Sequence, residues 1–132
     1  KMEAFIGTWK LIKSEGYNDY LRATGAGEEV IAVLNVIKPV VTISQEDEIV
    51  DIKVQSGIGI EETSFKLGKE FYVEKKDGRH CKVVVDVTED QLIQVEKWDR
   101  KEAISVIEVK DEKLIKTITF KDIKAVQTFQ RE

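Results

Sequence analysis

The sequence predicts an all-β domain: about ten antiparallel strands running up and down around a barrel, capped by a helix-turn-helix. Three observations lead there. At 132 residues and 15.1 kDa the chain has room for one domain with one core. From Lys38 onward, short runs rich in Val, Ile, Thr and aromatics alternate with polar breaks at roughly ten-residue spacing. Spacing this short leaves no room for crossover helices, so neighbours must pair antiparallel. One region alone, Gly16 to Ile37, trades this rhythm for helical spacing. The domain is expected to span residues 2–132, with Lys1 read as an addition ahead of a natural start at Met2.

The elements follow in order. Phe5 to Ile12 reads as the first strand. Tyr17, Tyr20, Leu21 and Thr24 then fall on one helical face, which Gly25-Ala26-Gly27 ends. Glu28 and Glu29 open a second helix, where carboxylates favour the N-terminal dipole, and Val30, Val33, Leu34 and Ile37 share its face. Pro39 stops it. The helical lid is thus expected over about 16–37. The strands beyond are separated by Gln45-Glu46-Asp47-Glu48, Ser56-Gly57, Gly68-Lys69, Lys76-Asp77-Gly78, Glu89-Asp90, Asp99-Arg100, Asp111-Glu112 and Lys121-Asp122. So long a meander avoids exposed edges most easily by closing into a barrel.

Composition excludes several classes of function. A net charge of −4 and a pI near 5.2 argue against a nucleic-acid partner, which needs a basic stripe to neutralise phosphates. A single cysteine makes no internal disulfide, and Cys81 with His80 assembles neither a zinc set nor a Cys-x-x-Cys pair; a reducing, cytoplasmic compartment is expected. Adjacent strand residues face opposite ways, which also rules out a Cys-His catalytic pair there. Cys81 reads as a small buried hydrophobe. There is no phosphate loop, metal motif or Ser/His/Asp set, so no catalysis and no cofactor are expected. The longest mostly apolar stretch, Val30 to Ile37, is too short for a bilayer, and a soluble chain is expected.

Strand alternation bears on whether such a barrel is filled or hollow. Cys81, Val83, Val85 and Val87 make one apolar face, as do Ala103, Ser105, Ile107 and Val109. Leu114, Ile118 and Phe120 share a face with Lys116, and Ala125 and Phe129 share one with Gln127. Lys116 and Gln127 thus stand where pure packing would want hydrocarbon. An isolated buried ammonium is costly, so the interior is expected to be wet or occupied.

These residues carry a resemblance. Phe5-Ile6-Gly7-Thr8-Trp9-Lys10-Leu11, Gly16-Tyr17-Asn18-Asp19-Tyr20-Leu21, Lys38-Pro39, Ser64-Phe65-Lys66-Leu67-Gly68-Lys69-Glu70-Phe71, Asp77-Gly78-Arg79 and Gln94-Val95-Glu96-Lys97-Trp98-Asp99 are similar to the intracellular lipid-binding proteins. That family includes the fatty-acid-binding and cellular retinoid-binding proteins. The match runs from Glu3 to Arg131; Asn18 and Thr24 depart from the usual signature. The resemblance implies a flattened, clam-like ten-stranded barrel with a water-filled cavity, the helices acting as its portal. It also implies a non-enzymatic carrier of fatty acids, retinoids, bile acids or related amphiphiles. Expected partners are one small hydrophobic ligand, no nucleic acid and at most transient membrane contact, with the chain a monomer.

The same resemblance points to ligand contacts at Tyr17, Tyr20, Leu21, Pro39, Val54, Ile58, Asp77, Arg79, Glu96, Ile107, Lys116, Ile118, Gln127 and Phe129. Many fatty-acid-binding members grip the carboxylate with an Arg on the eighth strand and an Arg-x-Tyr on the last. Here Ile107, Gln127 and Phe129 stand instead, so that guanidinium fork is missing. Gln127 with Phe129 is similar to the retinol binders, although Ile107 replaces the second Gln usual there. Two readings of Lys116 follow. Either it supplies the missing positive charge and holds a fatty-acid head group with help from Gln127, or it pairs with Glu96 and the ligand needs no charge partner. Trp9 reads as core packing, and Trp98 as either surface or cavity wall. Ile58 and Gly59 replace a bulkier Phe gate and a neighbouring Lys, leaving Lys75, Lys76 and Arg79 as the remaining basic rim. Uptake would need the helices and the turns near Ile58 and Lys76 to open. A barrel plugged by its own side chains and serving as an interaction module is the reading from another class.

Overall fold

The computed structural model describes residues 2–132; Lys1, and the reading of it as an addition, lie outside them. Ten strands form one antiparallel sheet: β1 (Gly7–Glu15), β2 (Val40–Glu46), β3 (Ile49–Ser56), β4 (Gly59–Lys66), β5 (Phe71–Glu74), β6 (His80–Thr88), β7 (Gln91–Trp98), β8 (Lys101–Lys110), β9 (Lys113–Phe120) and β10 (Ile123–Arg131). Helices α1 (Tyr17–Ala23) and α2 (Glu28–Val36) separate β1 from β2. Every expected polar break includes a turn, although Gln45, Glu46 and Ser56 still belong to their strands. At Asp99-Arg100 and Asp111-Glu112 both residues have positive φ, from 51° to 62°, as two-residue hairpins with the right-handed twist require. These turns fix Trp98 opposite Lys101 and Lys110 opposite Lys113, and with them which residues face inward.

The first strand starts later than expected. Phe5 lies in a 3-10 turn, Glu3–Phe5, because its ring is wholly buried and its carbonyl accepts a 3.0 Å bond from Trp9 Nε1. Met2, Phe5 and Trp9 form the floor of the barrel. Arg131 locks it, its guanidinium 4.2 Å from the Trp9 ring centroid while Nη1 and Nη2 donate to the carbonyls of Ile6 and Ala4.

At the other end, α1 packs on β10 beneath fully buried Leu21. Gly16 makes that approach possible. It sits at φ +74°, and a Cβ there would lie 2.6 Å from the Lys124 carbonyl oxygen. Tyr20 meets Phe120 edge-on at 6.3 Å, and Phe120 in turn lies 5.3 Å from Trp98.

The barrel is nearly closed rather than closed. In the strand order β4-β3-β2-β1-β10-β9-β8-β7-β6-β5, no ladder joins β4 to β5. Side chains span that gap: Phe65 and Phe71 stack at 4.6 Å and 7°, and Lys76 reaches Glu61 at 3.6 Å.

Candidate functional site

Within the sheet lies a cavity of about 320 Å³. Its two long walls differ in chemistry because each takes the inward parity of different strands. The wall from β2 to β5 presents Val41, Ile43, Ile52, Val54, Phe65, Phe71 and Val73, with Glu61, Thr63 and Glu74 among them. The wall from β7 to β10 carries Gln94, Glu96, Lys116 and Gln127 among Leu92, Ile107, Leu114 and Phe129. Register places Lys116 directly between Ile107 and Gln127. Both walls thus combine hydrocarbon with polar groups, and the second carries the buried Glu96 and Lys116, the usual make-up of a small-molecule site.

The charges are arranged unequally. Glu96, almost wholly buried, accepts hydrogen bonds from Lys75 Nζ at 2.6 Å and Gln94 Nε2 at 2.9 Å, with Arg79 Nη1 at 3.8 Å. Burial alone would raise the Glu96 carboxyl, but Lys75, Lys116 and Arg79 outweigh it and hold the group below the usual carboxylate range. Burial likewise opposes the charge on Lys75, and Glu96 overcomes it, leaving that ammonium above its ordinary value. Lys116 has no carboxylate within ion-pair distance among the described residues. Burial, then repulsion from Lys75, push it down to about 8; Glu96 offsets this only in part, and Arg79 adds to it.

Behind this wall Arg79 holds the lid. It forks onto Asp77 at 2.7–3.0 Å, donates to the Tyr20 hydroxyl at 3.1 Å and lies 4.4 Å over the Trp98 ring. Burial, then the neighbouring Glu96, drive the Tyr20 phenol up to about 12, so it stays neutral.

Of the expected contacts, Tyr17, Pro39, Val54, Asp77, Glu96, Ile107, Lys116, Gln127 and Phe129 line the cavity. Five do not. Tyr20 and Leu21 are buried under the lid, where their spacing on α1 turns them toward the barrel end. Arg79 is taken up by Asp77 and Trp98. Ile118, two residues nearer the lid than Lys116, is packed into the core. Ile58 sits in the β3–β4 turn, half exposed.

Three further expectations are corrected. Arg79 and Lys75 are not rim charges: the Arg79 side chain is 8% exposed, and Lys75 points inward. Glu96 pairs with Lys75 rather than with Lys116. Trp98 does not line the cavity: it is buried under the Arg79 guanidinium, its edge reaching a surface groove beside Lys82 and Lys97. Sequence reasoning missed Lys75 and Gln94 as wall residues. The signal was parity: Lys75 follows inward Phe71 and Val73, and Gln94 lies between inward Leu92 and Glu96.

A hollow up-and-down barrel with a helical cap and a two-sided cavity defines the class of barrels that enclose small apolar molecules. Residues 6–132 match the model of the Lipocalin / cytosolic fatty-acid binding protein family, and the chain belongs to that family. Among solved structures it is similar to wild-type UnaG, a fluorescent protein, at 36% identity over 100% of both chains with a TM-score of 0.94. It is also similar to a fatty-acid-binding protein from the brain of Drosophila melanogaster, 32% identical over 96% of this chain and 98% of that one, TM-score 0.87. A Schistosoma mansoni fatty-acid-binding protein in complex with arachidonic acid is 26% identical over 99% and 98%, TM-score 0.94.

Proposed function

We propose that this protein is a cytoplasmic, non-catalytic carrier that encloses one long-chain carboxylate such as a fatty acid. The observation that carries the reading is the buried Lys116 ammonium on the cavity wall, with no carboxylate within ion-pair distance among the described residues. Burial of the tail drives binding at about 25 cal/mol per Å² of apolar area. Lys116 holds the head group and Gln127, its cross-strand neighbour, adds a hydrogen bond. The schistosome relative with arachidonic acid supports this ligand class.

A charged hydrogen bond is worth about 1.5–3 kcal/mol, so Lys116→Leu should weaken fatty-acid binding about tenfold or more, read by displacement of a fluorescent reporter. Unchanged affinity would remove Lys116 as the anchor. Gln127 and Phe129 on the cavity wall favour a second reading, a retinol or other neutral-lipid carrier. In the same assay, retinol displacing the reporter better than the fatty acid, and doing so equally from Lys116→Leu, would select it.

A further inference from the structure

Three lysines line the cavity, Lys75, Lys76 and Lys116, and they are not equivalent. Lys75 meets Glu96 at 2.6 Å and Lys76 meets Glu61 at 3.6 Å. Lys116 has no carboxylate within ion-pair distance among the described residues. Its surroundings are mostly hydrocarbon, with Leu114 and Ile118 before and after it on its own face of β9 and Ile107 opposite on β8. A lysine desolvated in this way is the usual setting for a nucleophilic amine.

Burial, then repulsion from Lys75, lower Lys116 to about 8, so about a tenth of it is free amine at pH about 7, against about one part in three thousand at the ordinary 10.5. Burial opposes the charge on Lys75 as well, but the pair with Glu96 prevails and keeps it an ammonium. The cavity therefore offers one amine rather than three.

Given the carrier proposed above, on which this rests, we infer that Lys116 captures an aldehyde borne on a long apolar chain, holding it inside the cavity as a reversible imine. The Nζ lone pair attacks the carbonyl carbon, and a proton passes from nitrogen to the carbonyl oxygen, giving a carbinolamine. Its hydroxyl then leaves with the remaining nitrogen-bound hydrogen as water, and the C=N bond forms. Gln127, the cross-strand neighbour of Lys116 on the cavity wall, supplies an amide donor for the carbonyl oxygen. Two effects favour capture. Enclosing the tail makes the attack effectively intramolecular. The neutral imine also removes a buried charge that Glu96 offsets only in part.

The test treats the delipidated full chain at pH about 7 with hexadecanal or all-trans-retinal, reduces it with cyanoborohydride, and reads intact mass and peptide map. One adduct per chain is expected, heavier by the aldehyde less one oxygen atom and mapped to Lys116. Labelling by hexadecanal at the lower concentration assigns a fatty aldehyde; the reverse order assigns a retinoid. Lys116→Leu should lose this adduct by about tenfold or more, its melting temperature confirming that it is folded. Adducts confined to surface lysines, or labelling that Lys116→Leu retains, overturn the inference. Displacement of a fluorescent reporter by hexadecanoic acid and by hexadecanol, run alongside, separates two failures. If both lipids bind and Lys116 stays unlabelled, the carrier stands and the imine falls; if neither binds, the carrier falls and the imine with it.

Discussion

At the scale of single residues, function and stability pull against each other at Lys116. Its folded value of about 8 lies below the ordinary 10.5, so the folded protein holds this proton less tightly than the unfolded chain does. The charged form therefore costs stability at every pH below about 8, and the cost is relieved as pH rises from about 8 to about 10. Lys116→Leu should raise the melting temperature of ligand-free protein by about 3–6 °C at pH about 7, with the gain shrinking toward pH about 10. A variant that melts lower at neutral pH would mean that Lys116 already has a partner. This residue and Gln127 were legible in the sequence because each interrupts an apolar parity inside a regular strand. Lys75 was missed although its parity continues that of Phe71 and Val73, because it lies where β5 gives way to a turn and a charge run reads as a solvated edge. Only the fold shows it reaching Glu96 at 2.6 Å.

Among the elements, α1 packs on β10 and is tied to the β5–β6 turn by Arg79, which joins Asp77, Trp98 and Tyr20. Arg79→Ala leaves nearly buried Asp77 without its partner, a change that typically costs about 3–5 kcal/mol. Tyr20→Phe removes only the link to the helix. Hydrogen exchange should therefore quicken in α1 alone for Tyr20→Phe, and in α1 together with the β5–β6 turn for Arg79→Ala. Both variants should release ligand faster than wild type, which stopped-flow dilution measures. Unaltered protection of α1 in both would show that the lid is held by packing instead. The strands and helices were readable from local pattern: polar breaks at regular spacing, one stretch of helical period, one proline. What local pattern cannot carry is non-local pairing. Nothing within 59–66 or 71–74 announces that β4 and β5 never meet, and the start of β1 was misplaced because Phe5 serves the floor rather than the ladder.

For the whole molecule, the sheet builds two unlike inner walls, a mainly apolar one from β2 to β5 and one from β7 to β10 that carries Glu96, Lys116 and Gln127. The inner division follows from strand parity and was partly visible before the fold. The central claim is that the chamber holds an amphiphile by its tail and its negative head together. Calorimetric titration of delipidated protein with a long-chain fatty acid and with the primary alcohol of the same chain, at pH about 7 and about 9.5, tests it most directly. One-to-one binding is expected for both, with the acid tighter by about tenfold or more at pH about 7 and that advantage shrinking at the higher pH. Equal affinities at neutral pH, or no saturable binding of either, would contradict it.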